Sequence, residues 1–186
     1  MTYWDKKENY SLSSQDLTKL VGGVPIIKYP DLQYYDVNKF LKLFSNPKSG
    51  FILFFETENA TTGHWETCFM NSKNIHFFDS YGLKPDEAQD YLSKNTDIKL
   101  QENKPYLTNL FSQCMDMGYN CFYSVYKYQE MLGNVSTCGR WSATRLFNHT
   151  KTDSQFLDYM TSLKKRWGAK TFDETVVELT FQYLGK

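Results

Sequence analysis

The chain has no excess of either charge: 21 Lys and Arg balance 21 Asp and Glu over 186 residues, for a formal net charge of zero. It also lacks any polybasic run. The field that would neutralise a phosphate backbone is therefore missing, and nucleic acid is at most a weak partner. No apolar run approaches the ~20 residues of a membrane span, and the opening Met1-Thr2-Tyr3-Trp4-Asp5-Lys6-Lys7 is too polar for a secretory signal. The expectation is a soluble intracellular protein with no membrane partner. Cysteine is sparse. Cys68, Cys114, Cys121 and Cys138 form no CxxC pair, and a chain of this size needs no disulfide staples, so reduced thiols are expected. Cys114 and Cys121 match no common zinc spacing, so no metal is expected. Repeats and low-complexity linkers are absent too. At this length one domain over residues 1–186 is expected, with residues 1–11 as a flexible tail.

Aromatic rings, by contrast, are abundant: fourteen Tyr, fourteen Phe and four Trp. They predict a ring-lined core and a ring-lined substrate groove. Local patterns divide the chain as follows. Residues 12–20 read as a short helix capped by Ser13 or Ser14 and stopped by Gly22-Gly23. Val24 to Tyr29 looks extended, and Asp36 to Phe44 helical. Phe51 to Phe55, Trp65 to Met70 and Ile75 to Phe78 read as strands, the last two joined by the polar turn Asn71-Ser72-Lys73-Asn74. Pro85-Asp86-Glu87 predicts a helix running to Lys94. Cys121 to Gln129 alternates like a strand. Helices are predicted after Cys138 to Phe147, over Ser154 to Trp167, and over Phe172 to Leu184, the last opened by a Thr171/Glu174 capping box. The sum is an α+β domain with a mixed sheet and a helix-rich end.

Three short motifs carry chemistry: Gly63-His64-Trp65, Phe78-Asp79-Ser80-Tyr81-Gly82 and Thr137-Cys138-Gly139-Arg140-Trp141. Each alone has an ordinary structural reading. A free cysteine is among the most buried residue types, Asp79 suits a turn, and Gln129 suits a solvent-facing strand. Geometry joins them. An even turn centred between Ser72 and Lys73 pairs Glu66 with Asp79 and makes His64 its diagonal neighbour on one face. Asp79 can then orient the imidazole while its other nitrogen takes the Cys138 proton. With Thr137 as N-cap, Cys138 sits at a helix start, where unpaired amides favour a thiolate. Gly139 removes a side chain beside the sulfur. For the oxyanion formed on attack, the Cys138 amide and the Gln129 side chain are the expected donors, with Asn134 as second choice.

In order and composition these motifs resemble the adenovirus-type maturation proteases, a papain-like clan that also holds the SUMO and ubiquitin-like-protein proteases. The Phe-Asp-Ser-Tyr-Gly and Thr-Cys-Gly-Arg-Trp boxes look most like the branch found in virophages, Polinton/Maverick elements and giant viruses. Leu12 to Leu17 with Ile26-Ile27-Lys28-Tyr29 also resembles the start of the adenovirus enzyme. The resemblance covers residues 12–147 and implies a papain-like fold. It implies catalytic roles for Cys138 as nucleophile, His64 as base, Asp79 as orienting acid and Gln129 as oxyanion donor. It further gives Trp65 the part of the ring that shields or positions the imidazole. The nine-residue step from Gln129 to Cys138 is longer than the family's usual six or seven. The function implied is a monomeric cysteine endopeptidase that cuts viral capsid or core precursors, acting in the virion and inside the host cell. No cofactor is implied beyond the peptide or DNA activators some relatives use. The rivals are a protease for ubiquitin-like modifiers, an acyltransferase built on the same residue order, and a non-catalytic binding module.

Overall fold

The computed structural model describes residues 10–59, 62–88, 103–131 and 135–184. Helix α1 (Ser14–Val21) starts at a capping box in which Ser13 and Asp16 each satisfy the other's backbone amide, and it ends at Gly22. Strand β1 (Ile26–Lys28) leads into a 3-10 turn (Tyr29–Tyr34) and helix α2 (Val37–Lys42), capped by the Asp36 carboxylate on the Lys39 amide at 2.7 Å. Strands β2 (Gly50–Asn59), β3 (Thr62–Asn71) and β4 (Asn74–Phe78) form an antiparallel meander. Helix α3 (Tyr106–Asp116) and strand β5 (Asn120–Tyr123) follow, then helices α4 (Cys138–Phe147), α5 (Asp153–Trp167) and α6 (Phe172–Leu184).

The sheet has five strands in the order β1-β2-β3-β4-β5, parallel at both edges and antiparallel between. This is the mixed sheet of an α+β protein. Side chains alternate across it, so each strand feeds two cores. Ile52, Phe54, Trp65, Phe69 and Phe78 pack under α1, α4, α5 and α6. Phe51, Leu53, Phe55, Cys68 and Phe77 pack under the 3-10 turn, α2 and α3. Helix α4 lies inside the first core, buried from Gly139 to Leu146, including two arginines. Arg145 is accommodated by Asp153 at 3.0 Å, by the Asn148 and Lys151 carbonyls, and by the Phe69 ring 4.3 Å below its guanidinium. Among the described residues, no helix is long and apolar enough to cross a membrane.

The β3–β4 register follows the even turn: Met70 faces Ile75, and Thr67 faces Phe78. Elsewhere the structure departs from expectation. The strand predicted over Cys121 to Gln129 stops at Tyr123, because its partner β4 ends at Phe78 and the chain turns away through Asp79-Ser80-Tyr81-Gly82. Beyond it, Ser124 keeps one amide bond to the Phe77 carbonyl, and the Tyr128 and Gln129 amides both reach the Ser80 carbonyl. Asp86 takes φ 66° just ahead of a 3-10 segment at Glu87 and Ala88, and residues 89–94 of the predicted helix lie outside the described residues. The Asp86 carboxylate caps α3, which has no local side-chain cap, by accepting from the Leu107 and Thr108 amides and from the buried Tyr29 hydroxyl. At the head of α6, Thr171 caps the Glu174 amide at 3.0 Å as predicted, and the Glu174 carboxylate also accepts from the Lys170 amide. Of the expected tail, residues 1–9 lie outside the described residues, and Tyr10 is tied to Asp16 through its hydroxyl.

Gly63 shows how tightly β3 approaches β2 beside the site. A Cβ there would press on the Phe55 carbonyl and lie 2.7 Å from the Phe54 ring. Gly63→Ala is therefore expected to destabilise the protein by about 1–3 kcal/mol through overpacking, read as a lower midpoint in urea denaturation.

Candidate active site

Because β3 and β4 run antiparallel, the start of one and the end of the other lie at the same end of the sheet, and His64 and Asp79 meet there. Asp79 is fully buried. One carboxylate oxygen accepts from His64 Nε2, while the other accepts from the Tyr81 amide at 2.7 Å and the Leu83 amide at 3.3 Å. The turn-acid and orienting roles thus coexist in one side chain. With Nε2–H committed to a carboxylate, the neutral imidazole presents Nδ1 as its acceptor. Cys138 lies near enough to His64 to favour its protonated form and lines the same cavity, so thiol, imidazole and carboxylate are placed to act as one relay. Burial on its own would lower the His64 pKa. The Asp79 charge and hydrogen bond, helped by Cys138, instead hold it well above the ordinary 6.5.

Cys138 opens α4. Thr137 occupies the N-cap but does not cap: its hydroxyl donates to Asp173 of α6. The first helical bond runs from the Trp141 amide to the Thr137 carbonyl, so the Cys138, Gly139 and Arg140 amides have no helical acceptor ahead of them. They leave a positive helix end around the sulfur. Gly139 lets that end lie close to β3, since a Cβ would fall 3.2 Å from Trp65 Cδ1.

Trp65 does not shield the imidazole. Period-two alternation turns it to the opposite face from His64, where its ring packs on Phe54 at 4.3 Å. The ring stacked on His64 is Tyr81, with centroids 4.9 Å apart and planes 20° apart. Gln129 is buried beside them. Its Oε1 accepts from the Ser80 hydroxyl at 2.8 Å, and its Nε2 donates to the Tyr81 hydroxyl at 3.0 Å and the Val135 carbonyl at 3.2 Å. Asn134 lies outside the described residues.

Ser80, Tyr81 and Asp173 are the side chains sequence reasoning passed over. The first two were visible inside the Phe-Asp-Ser-Tyr-Gly box. Asp173 carried no local signal, being 35 positions beyond Cys138. Buried on α6, it accepts from the Glu130 amide at 2.9 Å, from Thr137 and from the Trp141 indole at 3.0 Å. Burial raises its pKa even against these three donors. It thereby ties the Gln129 segment to the head of α4.

A cavity of about 400 Å³ opens over the relay, lined by His64, Tyr81, Gln129, Cys138 and Gly139 together with apolar side chains such as Leu12, Phe55 and Trp65. No Asp, Glu, Lys or Arg is among the described residues lining it. Donor atoms of His64, Glu66 and Asp79 converge to within 4.8 Å. The His64 and Asp79 atoms are engaged with each other and with backbone amides, which accounts for the cluster as an oriented imidazole.

No family model matches the chain. The chain is 28% identical over 175 residues to "Uncharacterized protein V9" of the Sputnik virophage, covering 93% of this chain and 95% of that protein. A relative of viral origin thus matches it almost end to end. Among solved structures it is similar to the central domain of the uncharacterized Lpg1148 protein from Legionella pneumophila, with TM-score 0.43 and 14% identity over 93% of this chain and 98% of that one.

Two substitutions probe this arrangement. In Asp79→Asn burial, which lowers the His64 pKa, remains while the main charge that raises it is removed, so the imidazole should titrate below the wild-type value in a histidine NMR titration. Since the folded-state pKa lies above the unfolded one, the stability the pair contributes in the wild type is complete below about pH 6.5 and disappears as pH rises through the folded value. Asp173→Ala should cost about 2–4 kcal/mol in urea denaturation, because it strands two buried donors, the Thr137 hydroxyl and the Trp141 indole, and the part-buried Glu130 amide.

Proposed function

We propose that this chain is a cysteine endopeptidase of the adenovirus maturation type, built on a papain-like fold and acting on viral capsid or core precursors. The observation that supports this most directly is the relay from Cys138 through His64 to the buried Asp79, set at the head of α4 beside a cavity. In the reaction, Cys138 Sγ, its proton held by His64, bonds to the scissile carbonyl carbon. The carbonyl π pair moves onto oxygen, facing the first-turn amides of α4. Collapse of that intermediate expels the amine, which leaves with the proton from His64. Water, deprotonated by His64, then hydrolyses the thioester and frees Cys138.

The largely apolar cavity, with no Asp, Glu, Lys or Arg among its described lining residues, suits a segment of neutral peptide. No Lys or Arg there offers a partner for the phosphates of coenzyme A, and in the reaction the helix end of α4 faces the sulfur and the oxyanion, so peptide hydrolysis is favoured over acyl transfer. The virophage relative supports a viral setting for the substrates, with action in the virion and host-cell interior.

The test is incubation of wild type and Cys138→Ala with capsid precursors of the encoding virus, followed by intact-mass analysis. Discrete fragments with wild type alone are expected. Preferential cleavage of ubiquitin-like conjugates would move the assignment to that rival within the same clan. Absence of any Cys138-dependent fragment, together with no selective alkylation of Cys138, would sink the enzymatic reading in favour of a binding module.

A further inference from the structure

The side-chain amide of Gln129 cannot be turned around. Val135 offers Gln129 a carbonyl, which only accepts, so Nε2 must face it. That leaves Oε1 to the Ser80 hydroxyl and the second Nε2 hydrogen to the Tyr81 oxygen. Both N–H groups are therefore used within the protein, and neither is directed at a substrate. The Tyr81 hydroxyl is placed differently. Its oxygen accepts from Gln129, its ring is held flat against His64, and it lines the same cavity as Cys138 and Gly139. Its own hydrogen has no acceptor among the described residues.

We propose that the Tyr81 hydroxyl is the catalytic side-chain donor to the oxyanion, and that Gln129 acts through it as a positioning residue. The proposal rests on the peptidase reading and revises the role that reading gives Gln129. Accepting a hydrogen bond from an amide polarises the phenol and strengthens the bond it donates. As Cys138 Sγ attaches to the carbonyl carbon, the π pair moves to oxygen, and that oxygen accepts from Tyr81 O–H and from the amides at the head of α4. The proton stays on the phenol throughout. Collapse returns the pair to the carbonyl and expels the leaving group. Burial pushes the Tyr81 pKa up to about 12, against a smaller lowering by His64, so the hydroxyl remains protonated, as a donor must.

Two reactions of Cys138 separate this role from others. Acylation by p-nitrophenyl acetate passes through an oxyanion and releases p-nitrophenolate, whereas alkylation by iodoacetamide displaces iodide and forms none. Tyr81→Phe keeps the ring on His64 and removes only the hydroxyl. It should slow Cys138 acylation by roughly 10²-fold and leave alkylation within about two-fold of wild type, since nucleophile and base are untouched. The alkylation rate also reports that the variant's site is folded. The double variant Tyr81→Phe/Gln129→Leu should acylate no more slowly than the slower single variant, because both substitutions remove one donor.

Unchanged or faster acylation in Tyr81→Phe would overturn the proposal, since losing the phenol would then free a Gln129 N–H to serve directly. Equal losses in both reactions, with the urea midpoint preserved, would also overturn it and make Tyr81 a support for His64. Failure of the underlying reading looks different. Wild type would then acylate no faster than Cys138→Ala, which removes both.

Discussion

A buried carboxylate with both oxygens hydrogen-bonded is the constraint on which the rest of the site depends. Asp79 is fully buried, and an ionised group there persists only if donors replace water. Those donors are the His64 imidazole and the Tyr81 and Leu83 amides. One set of bonds therefore shapes the chain after β4 and selects the tautomer of the base. Turn and relay cannot be altered separately, because the two oxygens of one carboxylate serve both.

The remaining residues of the Phe78 to Gly82 box extend that coupling. The Ser80 carbonyl and hydroxyl hold the Gln129 backbone and side chain, and the Tyr81 ring lies on His64 while its hydroxyl meets Gln129. Gly82, at φ 75°, passes close to the Val125 carbonyl, which a Cβ would meet at 2.9 Å. From the other side, Asp173 of α6 binds both the Gln129 segment and the head of α4. Helix α6 is thus part of the framework of the candidate site, although none of its described residues lines the cavity. Reactive groups carried on four separate segments are held in register by two buried acids.

Much of this framework was readable in advance, for reasons local to the chain. The even turn at Ser72-Lys73 sets a pairing in which residue numbers sum to a constant, and the period-two face rule follows from it, so His64 and Asp79 could be brought together on paper. The helices read from Ser13 or Ser14, from Asp36 and from Ser154 were legible because their caps, Ser13, Asp36 and Thr152, lie within three residues of the amides they satisfy. Helix α3 was missed although Leu107, Leu110, Phe111 and Cys114 recur at helical spacing. Its capping acid is Asp86, about twenty positions upstream, and Pro105 at its head offers no side-chain acceptor. The strand through Gln129 was over-extended because alternation continued after its partner had ended at Phe78.

The pattern of residues along the chain was enough to set the mixed sheet, the register of its central hairpin and the identity of the thiol, imidazole and carboxylate, since each depends on spacings of a few positions. What lay beyond it were partners that only the folded path of the chain brings together, from six to more than forty positions apart. Tyr81 in place of Trp65 against His64 depends on where the chain goes after β4. The direction of the Gln129 amide depends on Val135, and the anchoring of α4 depends on Asp173. Hydrogen bonds of this kind are decided by packing geometry at the 3 Å scale, which no local propensity encodes.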